Sequence, residues 1–314
     1  MVRWTGRGSI ESLKSTVEEI IRSMKAKSKV RVIGDCLAVS GSDPAYFASA
    51  LDRTPGVAWI SVGAGGKIGT ESALLAKKYL RRGHRFEVIA ESSSGAATSD
   101  LAGEATSAIL GAVPGSRSDS RKPKRLFRVA KDGEASVVGV QLREGPGGTT
   151  LGTGVAVCFV SGGKHSSVVA WQALLSGFRA ALVHYAINDE ALREVARLYV
   201  ELVSRVGPRG IRLEVIRGSS TEGALARRAT GGSERFFMGC HAGGEPCPKT
   251  LIGRVESPLF ALTEEQFDEI HVSLSLKGED SKPSWGGLFS SGRPRPMEFS
   301  GWAGSAAEVL SRLS

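Results

Sequence analysis

The chain is poor in cysteine and in long apolar runs. Its four cysteines, Cys36, Cys158, Cys240 and Cys247, are too few and too scattered among 314 residues for a disulfide framework. No segment reaches the roughly 18 apolar residues of a membrane span. The opening Met1-Val-Arg-Trp-Thr-Gly6 lacks a signal-peptide core, so a cytoplasmic location with no membrane partner is expected. Residues 1–150 hold 23 Lys and Arg against 15 Asp and Glu, an excess of +8, whereas the remainder holds 18 against 17, an excess of +1. That imbalance points to a polyanion partner for the first half and small-molecule chemistry for the second. It also leaves open the plainer reading of a solvated basic surface.

Glycine, in contrast, is abundant at 40 residues, which supplies many turns and close backbone approaches. A hydrophobic content of 41% and a charged content of 23% are ordinary for a globular chain, and the length allows two domains with separate cores.

Patterning predicts an α/β chain. Helices are expected over 9–27, 45–51, 70–82 and 98–110, the second started by Asp43 as cap and Pro44 in the first turn. Strands are expected over 30–33, 57–62, 85–90, about 125–130 and 135–143. Glu144 to Gly154 reads as a glycine-rich linker. After it strand and helix alternate over 155–160, 166–176, 179–186, 189–205 and 211–216. This order means a parallel sheet whose ligands bind outside the carboxyl ends of the strands. Beyond 217 the pattern blurs, with a strand expected at 269–276 and a closing helix at 303–313.

The most informative stretch is 155–171. Val155 to Val160 is an apolar, β-branched run of the kind buried on both faces of a sheet. Ser161-Gly162-Gly163 follows, then Lys164, His165, Ser166 and Ser167, with Ser166 or Ser167 expected to cap a helix that carries Val168, Val169, Trp171, Leu174 and Leu175. Strand, glycine turn and helix N-terminus make a phosphate cradle, because unpaired N–H groups and the helix dipole both favour negative charge. A side chain at Gly162 is expected to block the anion and spare the fold. Lys164 reads either as a phosphate contact or as a solvated lysine. In the first half, Arg117, Arg121, Lys122, Lys124 and Arg125 place five cations within nine residues, with Arg128 close behind. They form either a sequence-blind phosphate-binding surface or a mobile hairpin with no partner.

Ser161-Gly162-Gly163-x-x-Ser166 resembles the pyrophosphate loop, SGGxDS, of ATP pyrophosphatases. Gly147-Gly148 through Gly154 before it, and Val168-x-Ala170-Trp171 after it, are similar to tRNA 4-thiouridine synthases (tRNA sulfurtransferases), here of the archaeal type without a rhodanese domain. The resemblance covers roughly residues 50–216. It implies an N-terminal ferredoxin-like region (1–50), a THUMP-like RNA-binding domain (51–145) and a PP-loop ATP pyrophosphatase-like domain (151–314). It further implies ATP and Mg2+ as cofactors, tRNA and a persulfide sulfur donor as partners, with a homodimer left open, and thiolation of a uridine through an adenylate. Cys240 and Cys247 are the candidate persulfide carriers; a disulfide and plain thiols are the alternatives. No metal ligands are assigned.

Three positions depart from the family pattern. His165 stands where the family has Asp, and imidazole suits zinc or copper where a carboxylate suits Mg2+. Glu91-Ser-Ser-Ser-Gly95 stands where THUMP domains carry basic residues, and the block GESLGQVASQT has no counterpart. These departures open a second reading, an RNA-binding paralogue without thiolation. Cys36, Cys158 and His184 are expected to be core residues with no chemical role.

Overall fold

In the segment after Ser9, apolar residues recur at Leu13, Val17, Ile20 and Ile21, one face of a helix, and all four are buried. The computed structural model describes residues 1–93, 97–185, 189–217, 235–238, 255–256, 264–274, 295–300 and 305–313. They divide into two compact units, Met1–Thr150 and Leu151–Ser314. Both are α/β, the class expected from the sequence. Among the described residues no helix is long and apolar enough to cross a membrane.

The N-terminal unit runs β1 (Val2–Trp4), α1 (Ile10–Ser23), β2 (Ser28–Ile33), β3 (Cys36–Gly41), α2 (Pro44–Leu51), β4 (Val57–Gly65), α3 (Ile68–Tyr79), β5 (Arg85–Ser92), α4 (Thr98–Ala112), β6 (Arg117–Ser118), β7 (Arg125–Asp132) and β8 (Ala135–Gly147). Its strands form one mixed sheet in the order β2-β3-β1-β4-β8-β7-β5-β6. Helices α1 and α2 bury Leu13, Val17, Phe47 and Leu51 against Val2, Leu37, Val57 and Ile60. Phe86, Phe127 and Val140 pack with Ala76 of α3 and Ile109 of α4, the two phenylalanine rings meeting edge to face at 6.0 Å. Asp43 caps α2 as expected, accepting the Tyr46 N–H at 3.0 Å.

The C-terminal unit runs β9 (Val155–Val160), α5 (Lys164–Leu175), β10 (Arg179–Tyr185), α6 (Asp189–Val206), β11 (Ile211–Arg217), β12 (Arg235–Met238), β13 (Val255–Glu256), α7 (Glu264–Ser273), β14 (Arg295–Ser300) and α8 (Ala306–Leu313). Its sheet has the order β13-β12-β9-β10-β11-β14, and every pairing is parallel except β11 with β14. Strand β9 therefore lies inside the sheet, and Ala156 through Val160 are all buried. The core is the layer between one sheet face (Cys158, Val160, Leu182, Leu213, Val215) and the helices (Val168, Trp171, Val195, Tyr199, Leu202). Buried Arg205 is held in that layer by the Glu201 carboxylate at 2.7 Å and stacks 5.0 Å from the Trp171 ring.

Several elements differ from the sequence expectation. Residues 269–276, read as a strand, begin inside helix α7: Ile270 and Leu274, four apart, pack on the core, while Val272 between them is 72% exposed. Cys36–Gly41 is a strand to which the sequence reading gave no range, paired with β2 in a hairpin turned at Gly34, whose φ is +57°. The first part of the expected linker is also strand, since β8 continues through Glu144 to Gly147 opposite Trp59 and Val57.

The β4–β8 pairing is unusually close at Gly63, where an added Cβ would fall on the Val138 carbonyl oxygen; at Gly65 the nearest atom would lie 3.5 Å away. Gly63→Ala is expected to cost the N-terminal unit about 1–3 kcal/mol by overpacking. Gly65→Ala should stay within about 0.5 kcal/mol. Urea unfolding curves of the two variants check the difference.

Candidate functional site

The loop after β9 is built by its own backbone. The Ser161 N–H donates to Ser166 Oγ at 2.8 Å, the two serine hydroxyls lie 3.0 Å apart, and the Ser166 N–H donates to the Gly163 carbonyl at 3.1 Å. Helix α5 starts at Lys164 with Gly163 as its N-cap and no side-chain cap. The expected capping role of Ser166 or Ser167 is thus corrected: both lie buried inside the first turn, where Ser166 ties the helix back to the strand end. Gly162 has φ +89°, a region L side chains rarely adopt, and a Cβ there would sit 2.9 Å from the Ala191 carbonyl oxygen of α6. Neither Gly162 nor Gly163 donates its backbone N–H to another described residue. At the mouth of a parallel sheet and the start of a helix, such N–H groups suit a phosphate.

The residues around this loop are histidines and serines. His165, second in α5, is half-buried. Ser167 Oγ lies 3.0 Å from Nδ1 of His271, which α7 brings against α5. His184, beside Val160 in the register of β9 and β10, is 1% exposed, and its Nδ1 lies 2.8 Å from the Val160 carbonyl. That contact requires a proton on Nδ1 and leaves Nε2 a bare acceptor with no hydrogen-bond partner. The expectation of a satisfied core histidine is corrected accordingly. Burial lowers the His184 pKa, partly opposed by the Val160 bond, so the ring is neutral near pH 7. Among the described residues no group of three or more His, Cys, Asp or Glu side chains could hold a metal ion. The described residues 161–167 offer backbone and serine donors that suit a phosphate and, with imidazole at position 165, offer Mg2+ no carboxylate. Cys240 and Cys247 lie outside the described residues. Cys36 and Cys158 are buried free thiols, as expected.

In the N-terminal unit the basic segment is pinned to the start of β5. Three successive carbonyls there, of His84, Arg85 and Phe86, accept the N–H groups of Arg117 (3.1 Å), Lys124 (2.8 Å) and Asp119 (2.8 Å). Asp119 also accepts the Arg121 N–H at 2.9 Å and contacts Arg85 Nη1 at 3.2 Å. These two partners, the Arg121 N–H first, hold its carboxyl below the usual carboxylate range. Arg117, Arg121, Lys122, Lys124 and Arg125 are all exposed, and the pairing of β5 with β6 and β7 adds Arg85 to them. Arg81 and Arg82, in the turn before β5, complete a surface the linear sequence does not display. Arg128 is not part of it. It is half-buried, binds Gln141 Oε1 at 2.7 Å and stacks 4.5 Å from the Trp59 ring.

The most extensive similarities are to solved structures. No protein-family model matches the chain, and no curated protein matches it. PH1313 from Pyrococcus horikoshii Ot3 superposes with a TM-score of 0.70 at 17% identity, covering 88% of this chain and 98% of that one. A 4-thiouridine synthetase solved in complex with RNA and with bound ATP superposes with a TM-score of 0.64 at 19% identity, covering 99% of this chain and 92% of that one. The fold is similar to that of a 4-thiouridine synthetase. Coverage of that synthetase includes both units, so the order of the two α/β units is also alike.

The loop geometry overturns one expectation directly. A side chain at Gly162 disturbs the fold, because both its φ and the Ala191 carbonyl oppose a Cβ. Gly162→Ala should destabilise the C-terminal unit by about 1–3 kcal/mol. Gly163→Ala should be close to neutral, since φ −77° suits any residue. Chemical denaturation of both variants, followed by tryptophan fluorescence, tests this. Equal losses would show that the turn is not where the strain lies.

Proposed function

We propose that this chain binds tRNA through the basic surface of its N-terminal unit and ATP through the 161–167 loop, and that it acts in ATP-dependent thiolation of a tRNA uridine. The observation that carries the reading is the junction of β9 and α5. There the Gly162 and Gly163 N–H groups and a helix N-terminus converge at the carboxyl edge of a parallel sheet. Support comes from the similar fold of a synthetase solved with RNA and ATP.

In this reaction ATP, as substrate, adenylates the uridine oxygen with loss of pyrophosphate. The outer sulfur of a persulfide on one cysteine displaces AMP. The thiol of the other cysteine then attacks the inner sulfur, releasing the thiouridine and leaving a Cys240–Cys247 disulfide that an external thiol reduces. The chain's own contribution is largely positional. The Gly162 and Gly163 N–H groups receive the departing pyrophosphate, and His184 Nε2 offers a buried, unpaired acceptor beside the end of β9. Cys240 and Cys247 are the proposed persulfide carriers, supplied by an external sulfur donor. His165 favours a second reading: without the carboxylate that would help hold Mg2+, the chain binds tRNA and a nucleotide phosphate and does not thiolate.

ATP–pyrophosphate exchange, run with and without bulk tRNA, separates the two readings. Exchange that depends on tRNA, with thiolation lost in Cys240→Ser or Cys247→Ser, supports the enzyme. Nucleotide binding without exchange supports the second reading, and then His165→Asp is expected to make ATP binding more Mg2+-dependent.

The RNA half of the proposal has its own test. Affinity for tRNA should fall steeply with salt, and replacing Arg121, Lys122, Lys124 and Arg125 with alanine should lower the log–log slope by roughly three to four. No binding by the wild-type chain at low salt would falsify the tRNA assignment.

A further inference from the structure

The basic surface contains an imidazole that faces a donor at each ring nitrogen. His84 closes the turn Arg81-Arg82-Gly83-His84, in which the His84 N–H donates to the Arg81 carbonyl at 3.0 Å and Gly83 has φ +81°. The Arg81 N–H points at His84 Nδ1 at 3.2 Å, and Nε2 of the same ring lies 3.1 Å from the Lys124 ammonium. A neutral imidazole offers one acceptor nitrogen and one N–H. If Nδ1 accepts from Arg81, the ring proton sits on Nε2 and faces Lys124. If Nε2 accepts from Lys124, the proton sits on Nδ1 and faces the Arg81 N–H. Either tautomer opposes two donors, and a cationic ring opposes both pairs. An acceptor with negative charge between Nε2 and the Lys124 ammonium resolves the first case, and it resolves the Lys124 side of the cationic ring at the cost of the Arg81 contact.

The charges around the ring leave that role open. Arg81 and Arg82 approach from the turn after α3, Arg85 from β5, Arg117 from β6, Arg121, Lys122 and Lys124 from the following loop, and Arg125 from β7. Asp119 is the acid in this neighbourhood among the described residues, and Arg85 and the Arg121 N–H already engage its carboxylate. We propose that His84 and Lys124 form a subsite for one RNA backbone phosphate, and that the ring takes up a proton when the phosphate arrives. The inference rests on the N-terminal unit binding RNA, and it specifies where one phosphate sits and how pH controls its binding.

The sign follows from the two states. In the free protein, loss of hydration and then the charges of Lys124, Arg125 and Arg81 hold the His84 pKa below the ordinary value of 6.5. A phosphate against the ring offsets those charges and favours the imidazolium, so the bound-state pKa is the higher of the two. Affinity is then greatest below the free-state pKa and is lost as pH rises through the bound-state pKa.

The test is the dissociation constant of the full chain for an unmodified tRNA transcript between pH 5.5 and 8 at fixed, low ionic strength. Wild type should bind roughly five- to tenfold more weakly at the high end, the change one proton gives when a pKa moves by about one unit. His84→Asn keeps an oxygen to accept the Arg81 N–H and should flatten most of that dependence. His84→Lys should bind as the wild type does at low pH, across the whole range. Should either variant fail to fold, the His84 ring resonances of the wild-type chain decide, because their titration midpoint must rise on adding tRNA. A pH-independent wild type, a dependence that survives His84→Asn, or an unmoved midpoint overturns the subsite and leaves the tRNA assignment standing. Absence of tRNA binding at every pH removes both.

Discussion

The geometry at the carboxyl edge of the C-terminal sheet depends on one close approach, that of Gly162 to the carbonyl of Ala191. Strand β9 ends inside the sheet, and α5 must begin within four residues of it. Only a backbone with positive φ turns that sharply here, and only a residue without a Cβ fits under α6. With the turn so fixed, Ser166 reaches back to the Ser161 N–H, and the next two N–H groups donate to no described residue. The unpartnered N–H groups of the loop are thus a by-product of packing two helices against adjacent parallel strands.

The N-terminal unit solves an opposite problem, the gathering of like charges. Eight cations within reach of one strand end repel one another, and no ring of carboxylates offsets them. Backbone hydrogen bonds to three successive carbonyls of β5 hold the segment in place, and these do not weaken with side-chain charge. Asp119 contributes by binding locally, to Arg85 and to the Arg121 N–H. The charge is therefore presented on a hydrogen-bonded backbone frame.

Much of this was legible in the sequence, and the failures have specific causes. The β9 run, the Asp43-Pro44 helix start and the alternation from 155 to 216 were readable because periodicity and capping act over a few residues. The α7 segment was misread because Ile270, Val272 and Leu274 alternate as a strand would, while their burial follows the spacing of four. Arg128 was grouped with Arg125 by proximity in the chain, although Gln141 of β8 and Trp59 of β4 hold its guanidinium. Arg81, Arg82 and Arg85 escaped notice because only the parallel pairing of β5 with β6 and β7 gathers them. His184 was misjudged because its orphan nitrogen follows from a contact with the Val160 carbonyl across two strands.

The two buried cysteines simplify the chemistry of the whole chain. Cys36 hands its proton toward Glu91 Oε2 at 3.4 Å, with loss of hydration and the Glu91 charge both raising its pKa; burial alone pushes the Cys158 thiol up to about 12. Neither forms appreciable thiolate near neutral pH, and the thiolate is the species that alkylating and oxidising reagents attack. In the native protein, reagent uptake has two silent positions. Labelling stoichiometry, sulfenate trapping or sulfur loading measured without denaturant thus reads out Cys240 and Cys247 against a blank background, with no need to mutate the other two.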